Sequence, residues 1–79
     1  MLYLVSTPIG NPDDVTLRAL RVLREANVVI CEEPREGARL LRRYQIENEI
    51  VALNEHTERA RVPELVERLK RGQTLARAV

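Results

Sequence analysis

Short apolar runs alternate with helical stripes along the whole chain, and this order constrains the fold more than any other feature. Leu2–Val5 is apolar, with β-prone Tyr3 and Val5. A Pro/Gly loop follows. From Val15 to Ala26 the apolar residues Val15, Leu17, Ala19, Leu20, Val22, Leu23 and Ala26 form a wide helical stripe, with Arg18, Arg21, Arg24 and Glu25 mainly on the other side. Asp13 or Asp14 is the expected N-cap, and Asn27 the expected end. Val28–Cys31 is continuously apolar, as a strand covered on both faces should be.

The pattern then repeats. Glu32, Glu33, Pro34 and Arg35 break it. Gly37, Leu40, Leu41 and Tyr44 recur at helical spacing, with Arg39, Arg42 and Arg43 opposite. Ile50–Leu53 reads as a third strand, and Asn54–Arg59 as a polar loop or a helix start. Val62, Leu65, Val66 and Leu69 lie at i, i+3, i+4, i+7. Pro63 suits only a first turn, so this helix is expected to start near Arg61 or Val62. Gly72 is its expected C′ residue. Thr74–Val79 begins a fourth strand. The order β-α-β-α-β-α-β implies an α/β domain with a parallel sheet of about four strands and right-handed crossovers.

Length and composition narrow the function. A single domain of 79 residues buries only about 60% of its unfolded surface, so its stability is marginal without help. Cys31 is the only cysteine, which excludes an internal disulfide; it is expected to pack as a small hydrophobe. One Cys and one His cannot make a four-ligand zinc site. Thirteen basic and twelve acidic residues nearly cancel, so net charge gives no strong sign of nucleic acid. All the bases but Lys70 are Arg. No stretch is long enough to span a membrane, and the expected setting is cytoplasmic.

In open α/β sheets ligands bind beyond the carboxyl ends of the strands. The unusual residues all fall on that rim: Pro8, Gly10 and Asn11 after the first strand, Glu32, Glu33 and Arg35 after the second, Glu55 and His56 after the third. The opposite rim carries ordinary connectors. Gly10 stands alone, so "TPIGNPDD" is neither a dinucleotide fingerprint nor a Walker loop. It is either a stiff turn before a helix or a ligand loop. His56 is either a general base or phosphate contact, or a plain surface histidine. Arg35, Arg39, Arg42 and Arg43 either meet phosphates or form a solvated face with Glu32 and Glu36.

The segments Thr7–Asn11 (T-P-I-G-N), Thr16–Leu20 (T-L-R-A-L), Cys31–Arg35, Asn54–His56 and Val62–Leu65 together resemble the opening of the tetrapyrrole methylase superfamily. The resemblance covers essentially the whole chain. Within the superfamily it is most similar to the branch that methylates the ribose 2′-hydroxyl of a cytidine in small-subunit ribosomal RNA. It implies S-adenosylmethionine as cofactor, no metal, a two-domain enzyme that works as a homodimer, and ribosomal RNA as substrate. By the same resemblance Pro8, Ile9 and Gly10 are cofactor-site candidates, and Arg35, Glu55 and His56 lie on the active-cleft or RNA side. No catalytic base is implied.

Two departures stand out. Glu33-Pro34 replaces the family's Asp-Thr before Arg35. The segment "TLARAV" is not followed by the family's S-D-A-G-T-P loop. The expectation is therefore a truncated amino-terminal domain, inactive alone. Arg77 points the same way: its strand lies at an edge, or Arg77 snorkels, or the chain is a fragment, and the fragment is the favoured reading. The alternatives are a free-standing binding or assembly module and a fragment of a tetrapyrrole-precursor methyltransferase.

Overall fold

A computed structural model describes residues 1–6 and 15–79. The elements are β1 (Leu2–Val5), α1 (Leu17–Glu25), β2 (Val28–Cys31), α2 (Pro34–Arg43), β3 (Glu49–Ala52), α3 (Glu58–Lys70) and β4 (Leu75–Ala78). The four strands form one parallel sheet in the order β1-β4-β2-β3. The expected α/β class and strand number hold.

The sheet order explains which helix covers which face. The steps from β1 to β2 and from β2 to β3 run one way across the sheet; the step from β3 to β4 runs back. Crossovers of one hand put the returning helix on the opposite face. Accordingly α1 and α2 share a core with one side of the sheet: Leu20, Leu23 and Leu41 pack with Val5, Val29 and Ala76. Helix α3 covers the other side, where Leu65 packs with Val28, Ile30, Val51 and Leu75. Strand β2 is buried along its whole length, as its uniform apolar sequence requires.

Strand β4 lies inside the sheet, paired with β1 on one side and β2 on the other. The edge reading of this strand is thereby overturned. Arg77 is half-buried rather than enclosed. Register aligns Leu2 with Leu75 and Leu4 with Arg77, so alternation puts all four on the α3 face. Leu2 is 49% and Leu4 72% exposed there.

Helix ends correct several expectations. The N-cap of α1 is Thr16, whose Oγ1 accepts from Ala19 N–H at 3.0 Å, and not Asp13 or Asp14. Those two aspartates lie outside the described residues. The helix closes at Ala26, one residue before Asn27, whose Oδ1 instead accepts from Thr74 N–H at 2.8 Å. Helix α3 starts at Glu58, a turn before the expected site, and carries Pro63 inside it. The reason is a turn at its entry: Asn54 C=O accepts from Glu58 N–H at 2.9 Å and nucleates the helix upstream of the proline. Strand β3 begins at Glu49 and closes at Ala52, one residue earlier than expected; Leu53 N–H still bonds Cys31 C=O at 2.8 Å.

Helices α2 and α3 end in the same Schellman geometry. In α2, Ile46 N–H bonds Leu41 C=O at 2.8 Å and Gln45 N–H bonds Arg42 C=O at 3.1 Å. In α3, Gln73 N–H bonds Arg68 C=O at 3.1 Å and Gly72 N–H bonds Leu69 C=O at 3.0 Å. The C′ residue is left-handed in both: Gly72 with φ of 85°, as expected, and Gln45 with φ of 58°. Among the described residues, no helix is long and apolar enough to cross a membrane.

Candidate functional site on the carboxyl rim

A parallel sheet sends the carboxyl ends of all its strands to one rim, and the connections that leave there are built differently from those opposite. The loop after β1 includes Pro8, Ile9, Gly10 and Asn11, which lie outside the described residues.

After β2 the chain enters α2 almost at once. Glu33 is the N-cap, and its Oε1 accepts from Arg35 N–H at 3.0 Å. Pro34 takes the first helical position, where its missing N–H costs nothing. The Glu33-Pro34 departure therefore makes a working helix start. Arg35 stands exposed on the first turn.

After β3 the chain makes a compact turn around Asn54. Asn54 Oδ1 accepts from His56 N–H at 2.9 Å and from Thr57 N–H at 3.2 Å. Thr57 Oγ1 donates to Ala52 C=O at 2.9 Å and accepts from Asn54 N–H at 3.0 Å. Asn54 Nδ2 reaches across to Glu32 C=O at 3.2 Å, fastening the β3 loop to the β2 loop. Because β2 and β3 are neighbours, Arg35, Glu55 and His56 stand on adjoining loops of one rim. Glu55 and His56 form a pair at 3.6 Å when the imidazole is protonated, with both side chains more than four-fifths exposed. Among the described residues Arg35 forms no ion pair with Glu55.

Cys31 lies at the carboxyl end of β2, beneath α2. It is buried, and burial followed by the nearby Glu33 carboxylate pushes its thiol above its ordinary value. A thiol held protonated packs and does not attack, in line with its expected role. Gly37 makes this packing possible. A Cβ at that position would stand 2.7 Å from Cys31 Sγ.

The opposite rim carries two features that sequence reasoning missed. Asn48 Nδ2 donates to the Leu23, Arg24 and Ala26 carbonyls at 2.6, 3.2 and 2.9 Å, tying down the end of α1. A bidentate pair joins Arg68 of α3 to Glu49 of β3 at 2.9 and 3.0 Å. The hydrogen bonds from Arg68 hold the Glu49 carboxyl below its ordinary value. A polar residue in a connector has no periodicity, so only the folded geometry shows what it ties.

Comparison with known proteins adds family membership to this geometry. The family model described as Tetrapyrrole (Corrin/Porphyrin) Methylases matches residues 1–79. Proteins named Ribosomal RNA small subunit methyltransferase I are similar over nearly the whole chain. That of Coprothermobacter proteolyticus is 45% identical over 76 residues, covering 96% of this chain and 35% of the relative. That of Pseudomonas aeruginosa is 44% identical over 75 residues, covering 95% and 27%. That of Thermotoga maritima is 39% identical over 75 residues, covering 95% and 34%. The chain thus spans between about a quarter and about a third of the length of these relatives. With its parallel sheet and its alternating helices, the chain belongs to the tetrapyrrole methylase family.

Proposed function

We propose that this chain forms the first part of an S-adenosylmethionine-dependent methyltransferase acting on the ribose 2′-hydroxyl of a cytidine in small-subunit ribosomal RNA. The observation that carries the reading is the 45% identity, over 96% of this chain, to a protein named for that class of substrate. The same names favour RNA over a tetrapyrrole precursor.

When bound, S-adenosylmethionine supplies an electrophilic methyl group on a sulfonium centre. The ribose 2′-oxygen would accept that methyl group in line with the departing sulfur, and a base would take the hydroxyl proton. Such a reaction depends first on positioning, worth up to roughly 7–11 kcal/mol when two reactants are held in near-attack geometry. In this reading Pro8, Ile9 and Gly10 hold the cofactor, and Arg35, Glu55 and His56 line the RNA side. The Asn54 clasp between Glu32 and Thr57 supports that side by keeping the two loops in fixed relation. In this reading the chain supplies one wall of the cleft and the remainder of a longer homodimeric protein the other, so the 79 residues alone are inactive in transfer.

Calorimetric titration with S-adenosylhomocysteine tests the half-site, alongside an assay of labelled methyl transfer to small ribosomal subunits. Saturable binding without transfer is the expected result. Transfer by the 79-residue chain alone would refute the half-site. Absence of binding would favour a non-catalytic assembly module.

A further inference from the structure

The formal net charge of +1 conceals a separation of charge between the two faces of the sheet. Helices α1 and α2 together carry seven arginines and two glutamates, a formal +5. Helix α3, on the other face, carries four basic and three acidic residues, a formal +1.

Pairing separates the faces further. On the α3 side Arg61 meets Glu64 at 3.1 Å, Arg68 meets Glu49 at 2.9 Å and Arg71 meets Glu67 at 3.6 Å. Arg39 and Arg42 of α2 are exposed and, among the described residues, no carboxylate lies within ion-pair reach of either. They stand with Arg35 at i, i+4 and i+7, one stripe along the helix. The stripe starts at the carboxyl rim and runs roughly 10 Å toward the opposite one. There Arg39, Arg42, Arg43 and the half-buried Tyr44 line an open groove of about 530 Å³. Arg24 of α1 donates to Tyr44 C=O at 3.2 Å and brings a further guanidinium to its margin. Within α2 the single acid, Glu36, sits in the first turn beside Arg35, and the last turn that borders the groove carries Arg42 and Arg43.

We propose that this arginine stripe and groove are a docking surface for RNA phosphates, holding the strand that flanks the target nucleotide on the carboxyl rim. Planar guanidiniums suit phosphate oxygens, and an aromatic beside them suits an unpaired base. The surface rests on the reading of the chain as an RNA methyltransferase, and it extends that site along α2 onto a face the reaction itself does not use.

The test is fluorescence anisotropy with a short labelled RNA from the small ribosomal subunit, titrated at salt from about 50 to about 200 mM. Each phosphate neutralised on a single strand contributes about −0.7 to the slope of log K against log salt. The Arg39→Gln/Arg42→Gln variant, at two exposed positions with a helix-compatible replacement, is expected to flatten that slope by about 1.4 and to weaken binding roughly ten- to hundredfold at about 50 mM salt. Arg39→Lys/Arg42→Lys keeps the slope. Arg59→Gln/Lys70→Gln makes the same charge change on α3 and is expected to leave slope and affinity nearly unchanged. Equal losses in both glutamine variants, or no salt-dependent binding by the parent chain, overturn the proposal. Cofactor titration of the same proteins is read separately: a variant that loses RNA yet binds S-adenosylhomocysteine like its parent isolates the surface from the cofactor site.

Discussion

The two faces of the sheet solve the burial problem differently. On one, two successive helices cover the strands, and Leu20, Leu23 and Leu41 close over Val29 and Ala76. On the other, a single returning helix must serve the same four strands. It covers β2 and β3 well, and leaves Leu2 and Leu4 of β1 in water beside the half-buried Arg77. Val62 and Val66 of α3 are also more than a third exposed. The difference follows from connectivity: two steps forward and one step back give two helices to one face and one to the other. The better-covered face carries its arginines outward, whereas the charged side chains of α3 pair along the helix and, through Arg68, with Glu49 of β3.

The sharpest test of this contrast is truncation in each core. Leu23 is completely buried between α1 and the sheet, and Leu65 is the anchor of α3. Leu23→Ala should cost about 4 kcal/mol and Leu65→Ala about 2–3 kcal/mol, since the thinner layer over the α3 face can collapse into the space left. Urea unfolding measures both. Equal costs would remove the claimed asymmetry. In a domain this small the larger loss approaches the whole stability.

A second test concerns the seam between α2 and β2. Gly37→Ala should destabilise by about 2 kcal/mol, because its Cβ would overlap Cys31 Sγ. Cys31→Ala in the same chain should recover part of that loss. A Gly37→Ala protein that melts like its parent would show that α2 can lift away without cost.

The smallest expected effect belongs to the α3 clamp. The carboxyl of Glu49 is held below its ordinary value of 4.5, chiefly by hydrogen bonds from Arg68. A depressed carboxylate contributes stability that is full above its unfolded value and is lost as pH falls through its folded one. Melting temperature should therefore drop through that acidic window in the parent chain and drop less in Glu49→Gln. Identical acid profiles would mean that the pair adds nothing.

Much of this architecture was legible in the sequence, and the reasons it was legible mark the limits. Val28–Cys31 declares itself because a strand buried on both faces is apolar throughout. The stripe of Leu20 and Leu23 shows α1, but nothing local distinguishes Thr16 from the aspartates before it as the cap. Periodicity counted β4 without locating it, since neighbours in a sheet are chosen by tertiary packing. Arg77 left an edge strand, a snorkelling side chain and a fragment all open, because the sequence around it cannot report that β4 pairs on both sides. For the rim, chain order alone set Arg35 on the same side of the sheet as Glu55 and His56, while the pairing of β2 with β3 and the Asn54 bond to Glu32 needed the fold. Pro8, Ile9 and Gly10 rest on resemblance and lie outside the described residues.

The placement of β4 also has a consequence in time. Among the described residues β1 pairs only with β4, and Leu75 N–H closes onto Met1 C=O at 2.8 Å. Residues 2–5 therefore find their sheet partner only once residues 75–78 have been made. At a synthesis rate of about 5–20 residues per second, the first strand stays without a sheet partner for roughly 4–15 s after it is made. Throughout that interval Leu2 and Leu4 sit on a strand without its native partner, and β4 must then enter between β1 and β2, a non-local pairing of the kind that slows folding.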